Sequence, residues 1–284
     1  MASLFSDLEP IDLGDFDVSA SSAKFTQAGE TPVGVATPEM PDYEPTIYTI
    51  KFTPKLAAEN LPVLQSKQRE VDRFRAWATF ETNKLTQKKI AAGQLAATGN
   101  PFEKQYAIGA YRAKAMDAVY DRRAPWLMLD QAVNNRQTLK IKSSEFRVNI
   151  LKLAIAGIVV PATAMGTLMD ILNAITSSIN NGNEVMHSKG VQYWIQFVIY
   201  DFDWMSKNVT ARIHTISLQT STTTYDVAKN CEKSQHAEVN ISFVGHDRWF
   251  NSEVFSSAAA AMTAQQIEAG ANALKDNPSF NVDS

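Results

Sequence analysis

The chain has 284 residues, 45% hydrophobic and 20% charged, the balance of a globular protein with enough length for one large domain or two small ones. Its net charge of −3 at pH 7 gives no global basic field, so nucleic acid is excluded as a partner. The single cysteine, Cys231, rules out an internal disulfide and favours synthesis in the cytoplasm.

Residues 1–45 hold nine acids and one base, Lys24, a charge of −8 that leaves +5 for residues 46–284. Apolar residues there are scattered singly, so the segment reads as an acidic, flexible extension before a single domain over 46–284. The start, MASLFSDLEP, lacks the basic and apolar regions of a signal peptide and the glycine for myristoylation. Release from the cell would need lysis or a dedicated non-Sec route.

Thr46–Thr53 reads as a first strand, ended by Pro54. Val63–Ala97 gives a charged helix whose apolar face carries Val71, Phe74, Trp77, Ala78 and Leu85. A second helix fits Phe102–Arg123, with Tyr106, Ala110, Ala113, Met116 and Tyr120 along one side. A third, shorter helix fits Trp126–Asn134, and Thr138–Lys142 a short strand.

Leu153–Met169 is a run of seventeen uncharged, mostly apolar residues, short of the roughly 20 that a spanning helix needs. It reads as a buried or conditionally inserted helix. Pro161 divides it into helices over about 146–160 and 162–180.

Val191–Tyr200 is a strand with apolar residues on both faces, the pattern of the middle of a sheet covered by helices. In Val209–Leu218 the apolar phase slips between Ile213 and Ile216, which predicts a bulge near His214 and Thr215. Gln219–Thr224 either extends that strand or forms a flexible connection. Ala237–Phe243 alternates, with Val239 and Ile241 inward. Ile195, Phe197, Val239 and Ile241 are therefore expected in the core. Ser256–Lys275 is Ala-rich and helical, with a weak tail after Pro278.

No P-loop, GxGxxG, GxSxG, HExxH or CxxC occurs, and the four histidines share no metal-ligand spacing. No metal and no diffusible cofactor is implied, and no catalytic motif is recognised. His246-Asp247-Arg248-Trp249 reads as a strand-end anchor, with catalysis as the alternative. Asp201 and Asp203 read as a hairpin tip, with calcium binding as the alternative. Cys231 lies near Lys229, Lys233 and His236, and nearby positive charge raises thiol reactivity. It is either an inert packing residue, an acyl-attachment site, or a nucleophile paired with His236.

An apolar helix, then ILNAITSSINN, then a strand opening QYWIQF resembles the Cyt-type δ-endotoxins and, within that fold, the Erwinia virulence factor family. The resemblance covers about 110 residues, Phe146–Phe255. It implies an α+β fold, a central antiparallel sheet flanked by layers of helices. It further implies a virulence or toxin-like protein associated with membranes or lipid. That family's thioester-linked fatty acid falls on Cys231, the one thiol present, as covalent palmitate or a similar chain in an internal tunnel.

Two functions compete. One is a membrane-acting virulence factor that adsorbs, displaces a helical layer and inserts, forming homo-oligomers because inserted strands need neighbours. The other is an acyl-cysteine-dependent enzyme or lipid carrier. A structural or interaction role for the 63–136 helices is a third reading.

Overall fold

The computed structural model describes residues 43, 45–95, 101–141, 170, 173, 191–229, 232–260, 262–275, 277 and 279–283. Within the strands, residues 131, 133–141, 191, 220–229, 232–243, 280, 282 and 283 are described as backbone only. Nearly all of the acidic extension (1–42 and 44), most of the 146–180 segment and Cys231 lie outside the described residues.

The described strands are β1 (Ile47–Thr53), β2 (Leu127–Ile141), β3 (Val191–Asp203), β4 (Asn208–Lys229), β5 (Glu232–Phe250) and β6 (Ser279–Asp283). They form one sheet in the order β2–β5–β4–β3–β1–β6. The four strands β2–β5–β4–β3 are antiparallel, as expected. β1 and β6 add to this core in parallel, β1 against β3 and β6 against β1. The segment after Pro278, read as a weak tail, is thus the sixth strand.

The described helices are α1 (Leu61–Ala91), α2 (Pro101–Arg122), α3 (Ser252–Ala259) and α4 (Ala264–Leu274). α1 starts with proline in its first turn, where a missing N–H costs nothing. It stops where Gly93 adopts φ +66° and donates its N–H to the Ile90 carbonyl at 2.9 Å. Thr263 and Gln266 cap α4 reciprocally. The expected 256–275 helix is therefore two helices. None of the described helices is long and apolar enough to cross a membrane.

The anticipated faces of α1 and α2 point inward: Val71, Phe74, Ala78, Ala113, Met116 and Tyr120 are all buried. Phe74 sits at the centre, with ring centroids 4.9 Å from Tyr120, 5.8 Å from Trp126 and 5.9 Å from Phe250. Trp194, Val198, Tyr200, Ala211 and Ile213 supply the sheet side of this core. The opposite face of β3, with Tyr193, Ile195, Phe197 and Ile199, is equally buried. Both sides of the central strand are thus withdrawn from water, which explains its unbroken apolar sequence.

Two local expectations are corrected. Trp126–Asn134 is not helical: Leu127 begins β2, which pairs with β5 from Phe250 back to Ala237. The register shifts between Leu129 and Gln131, leaving Asp130 as the extra residue of a bulge. No bulge occurs at His214 or Thr215, because Arg212–Leu218 pairs without interruption on both sides. The slip in apolar phase is chemical: Thr215 and Ser217 point at the helices and join a polar cluster there.

Candidate functional site

Strand alternation sends Gln192, Trp194 and Gln196 of β3, Thr215 and Ser217 of β4, and His246 and Arg248 of β5 to the same face of the sheet. α2 crosses that face and lowers Asp117, Tyr120 and Asp121 onto it, three positions joined by helical spacing. The result is a polar cluster that runs from the buried Arg248, Thr215 and Ser217 out to the exposed Asp121.

Arg248, 2% exposed, is its pivot. One guanidinium nitrogen donates to Asp121 and another to Thr215 Oγ1 at 2.7 Å. The Trp194 indole N–H donates to Asp117 Oδ1 at 3.3 Å. Ser217 also hydrogen-bonds the Asp117 side chain, and the Gln192 amide donates to the Ser217 hydroxyl. His246 Nδ1 lies 3.9 Å from Asp121 Oδ1. Beside these, Arg75 Nε donates to Gln196 Oε1 at 3.2 Å, and Gln196 Nε2 to the Tyr120 hydroxyl at 2.8 Å.

Burial, and then the like charge of Asp121, pushes the Asp117 carboxyl up to about 7, against the opposing pull of Arg248. Burial and Arg248 lower the His246 imidazole, which Asp121 partly offsets. An acid near 7 exchanges its proton at neutral pH, the property a general base needs. Its neighbour Ser217 is a buried hydroxyl whose proton it can take. Asp117, Asp121 and His246 also bring ligand atoms within 4.8 Å of one another. A cation seated there would face the Arg248 guanidinium, which already compensates Asp121, so the donor set does not fit a resident metal.

Of the anticipated site residues, His246 and Arg248 reach this cluster and the others described do not. Cys231 lies outside the described residues, between Lys229 and Glu232, which pair as the ends of β4 and β5. His236 pairs through its backbone with Tyr225, and its side chain is not among those described. The His246–Trp249 run is part of β5, and alternation splits it. His246 and Arg248 join the cluster. Asp247 and Trp249 face the other side, where Arg212 Nε is 3.6 Å from Asp247 Oδ1. His214, on that second face, is lowered to about 4 by burial, Arg212 and Arg248. Asp203 shapes the β3–β4 turn, accepting from the Met205 N–H at 2.9 Å and the Ser206 hydroxyl at 2.7 Å.

Asp117, Asp121, Gln192 and Ser217 were not singled out by sequence. Gln192 and Gln196, four apart in an otherwise apolar strand, were the available signal of a polar stripe.

No protein-family model matches the sequence, and no curated protein matches it. Among solved structures the chain is similar to the Evf virulence factor, at 13% identity and a TM-score of 0.41, covering 85% of this chain and 91% of that one. It is also similar to a delta-endotoxin, at 9% identity and a TM-score of 0.29, covering 79% and 90%. A third is the activated Cyt2Ba monomer from Bacillus thuringiensis subsp. israelensis, at 10% identity and a TM-score of 0.30, covering 69% and 96%. The α+β assignment stands on the strands and helices themselves.

Proposed function

We propose that this chain is a toxin-like virulence protein that acts on lipid membranes. The observation carrying the reading is the length of the β4–β5 hairpin. β3 ends its pairing at Val191–Thr220, and β4 and β5 continue for nine more register pairs, Ser221–Asn240 to Lys229–Glu232. A membrane-crossing strand needs about 9–11 residues. β3, buried on both faces, is the permanent core, and the hairpin extension is the inserting element. β2 accompanies β5 through the first four of these pairs, to Ile141–Ala237. The last five, Tyr225–His236 to Lys229–Glu232, have no third strand among the described residues. Edges left unpaired in hydrocarbon mean that insertion requires several copies. In the same reading Cys231, beside the paired ends of this hairpin, carries a fatty acyl chain by thioester.

Dye release from liposomes tests the reading, with intact mass before and after hydroxylamine as its covalent arm. Release by the purified protein is expected, together with an acyl mass that hydroxylamine removes. Absence of binding and release at every lipid composition overturns the membrane reading. A bare-sequence mass, allowing for methionine processing, overturns the acylation alone.

The hydrogen bond between Ser217 and Asp117 favours a second reading, an acyl-transfer or hydrolytic enzyme. Asp117 would take the hydroxyl proton as Ser217 Oγ attacks an acyl carbonyl and would return it to the leaving group. A fluorophosphonate probe should label Ser217 with a pH dependence centred near Asp117's titration. Equal labelling of Ser217→Ala would remove this reading.

A further inference from the structure

Among the described residues, most of the large exposed apolar side chains sit at one end of the sheet. Trp204 and Met205 occupy the β3–β4 turn, 61% and 96% exposed. Met128 and Leu129 start β2, beside the end of β5. Val63 lies in the first turn of α1 and Val254 in the first turn of α3, both exposed. The start of α3 is tied to the third turn of α1, since the Ser252 hydroxyl donates to Glu70 Oε2 at 2.6 Å. β1, parallel to β3, leaves the sheet at this same end and leads into α1.

We propose that this end of the sheet is a docking surface for a lipid bilayer, with the Trp204–Met205 turn as its anchor. The inference deepens the membrane reading above and rests on it. The apolar side chains come from separate places: Trp204 and Met205 from one turn, Met128 and Leu129 from a strand start, Val63 and Val254 from two helix starts. Separate patches suit a deformable surface, whereas a folded partner would need a matching pocket for each. The turn also has interfacial chemistry. Trp204 meets Phe202 edge-on with centroids 4.9 Å apart, and the Lys207 ammonium lies 5.1 Å from the Trp204 ring. An indole held beside a cation is the pairing favoured at the water–hydrocarbon boundary. Exposed Lys55, Arg122 and Lys207 are outnumbered by exposed Glu59, Asp130, Asp201, Asp203 and Glu253, so anionic headgroups offer no net attraction. Docking is therefore driven by apolar burial, and zwitterionic lipid suffices.

The test is partitioning of the full chain onto phosphatidylcholine vesicles. The Trp204→Ser/Met205→Ser double variant should bind at least about tenfold more weakly, the loss for roughly 60 Å² of apolar burial. Phe102→Ser, at the exposed start of α2, should bind as the parent does. In a Trp249→Phe background, brominated lipid should quench tryptophan emission, and adding Trp204→Phe should abolish that quenching while binding persists, because the remaining Trp77, Trp126 and Trp194 are buried. Unchanged thermal unfolding keeps the comparison interpretable. If the parent binds and the double variant binds equally, this surface is wrong and the membrane reading stands. If the parent binds neither phosphatidylcholine nor vesicles with added phosphatidylserine, the membrane reading fails and the docking surface with it.

Discussion

Gly270 of α4 lies directly on the backbone of Ala76 in α1: a Cβ added at Gly270 would meet the Ala76 carbonyl oxygen at 1.7 Å. Two helix backbones touch here with no side chain between them. Gly270→Ala should force the helices apart and destabilise the protein by about 2 kcal/mol or more, despite alanine's better helix propensity. A denaturation midpoint equal to or above the parent's would refute the contact.

Asp121 and Asp117 compete for one buried guanidinium. In Asp121→Asn the like charge beside Asp117 is gone, and Arg248 has only Asp117 left to pair with. The Asp117 carboxyl should then titrate below its parent value of about 7. Carbon NMR of the side-chain carboxyls reads this directly. An upward or absent shift would mean that the two acids are not coupled.

The same raised acid makes stability depend on pH. Between the ordinary carboxylate value of 3.8 and about 7, the folded state keeps a proton on Asp117 that the unfolded chain has released. The folded state binds more protons in this window, so Asp117's contribution to stability declines as pH rises through it and levels off above 7. The decline is on the order of a few kcal/mol. Asp117→Asn should abolish it, as seen in urea unfolding at a series of pH values. His214, lowered to about 4, acts oppositely: its neutral folded form contributes stability that rises from about pH 4 to 6.5. His214→Gln should remove that rise.

Phe197 is fully buried on the face of β3 away from α1 and α2. Phe197→Ala should cost about 3–5 kcal/mol, as should Phe74→Ala on the other face. A loss at Phe74 alone would mean that the second face of the sheet contributes little.

β3 was legible because apolar residues at odd and even positions leave no solvent face. α1 and α2 were legible because Phe74, Trp77 and Tyr120 fall on 3.6-residue stripes, though α1 stops at Ala91, before the expected end at Ala97. β2 was not, since WLMLDQAVNN satisfies helical spacing as well as strand spacing. What decides it is β5, a partner remote in sequence that no local pattern reveals. The polar cluster was hidden for a related reason. Asp117 and Asp121 look like ordinary helix acids until β5 brings Arg248 beneath them. The polar residues of β4 there disguised themselves as a phase slip.

β1 and β6 are register neighbours, Ile50 against Phe280, although nearly the whole described chain lies between them. Closing so long a loop costs entropy before any contact rewards it, and parallel pairing at such separation is a slow step. Until β6 arrives, β1 offers an unpaired edge to whatever strand comes first. The refolding chain is therefore most prone to self-association in that interval, through an edge that the finished fold covers last.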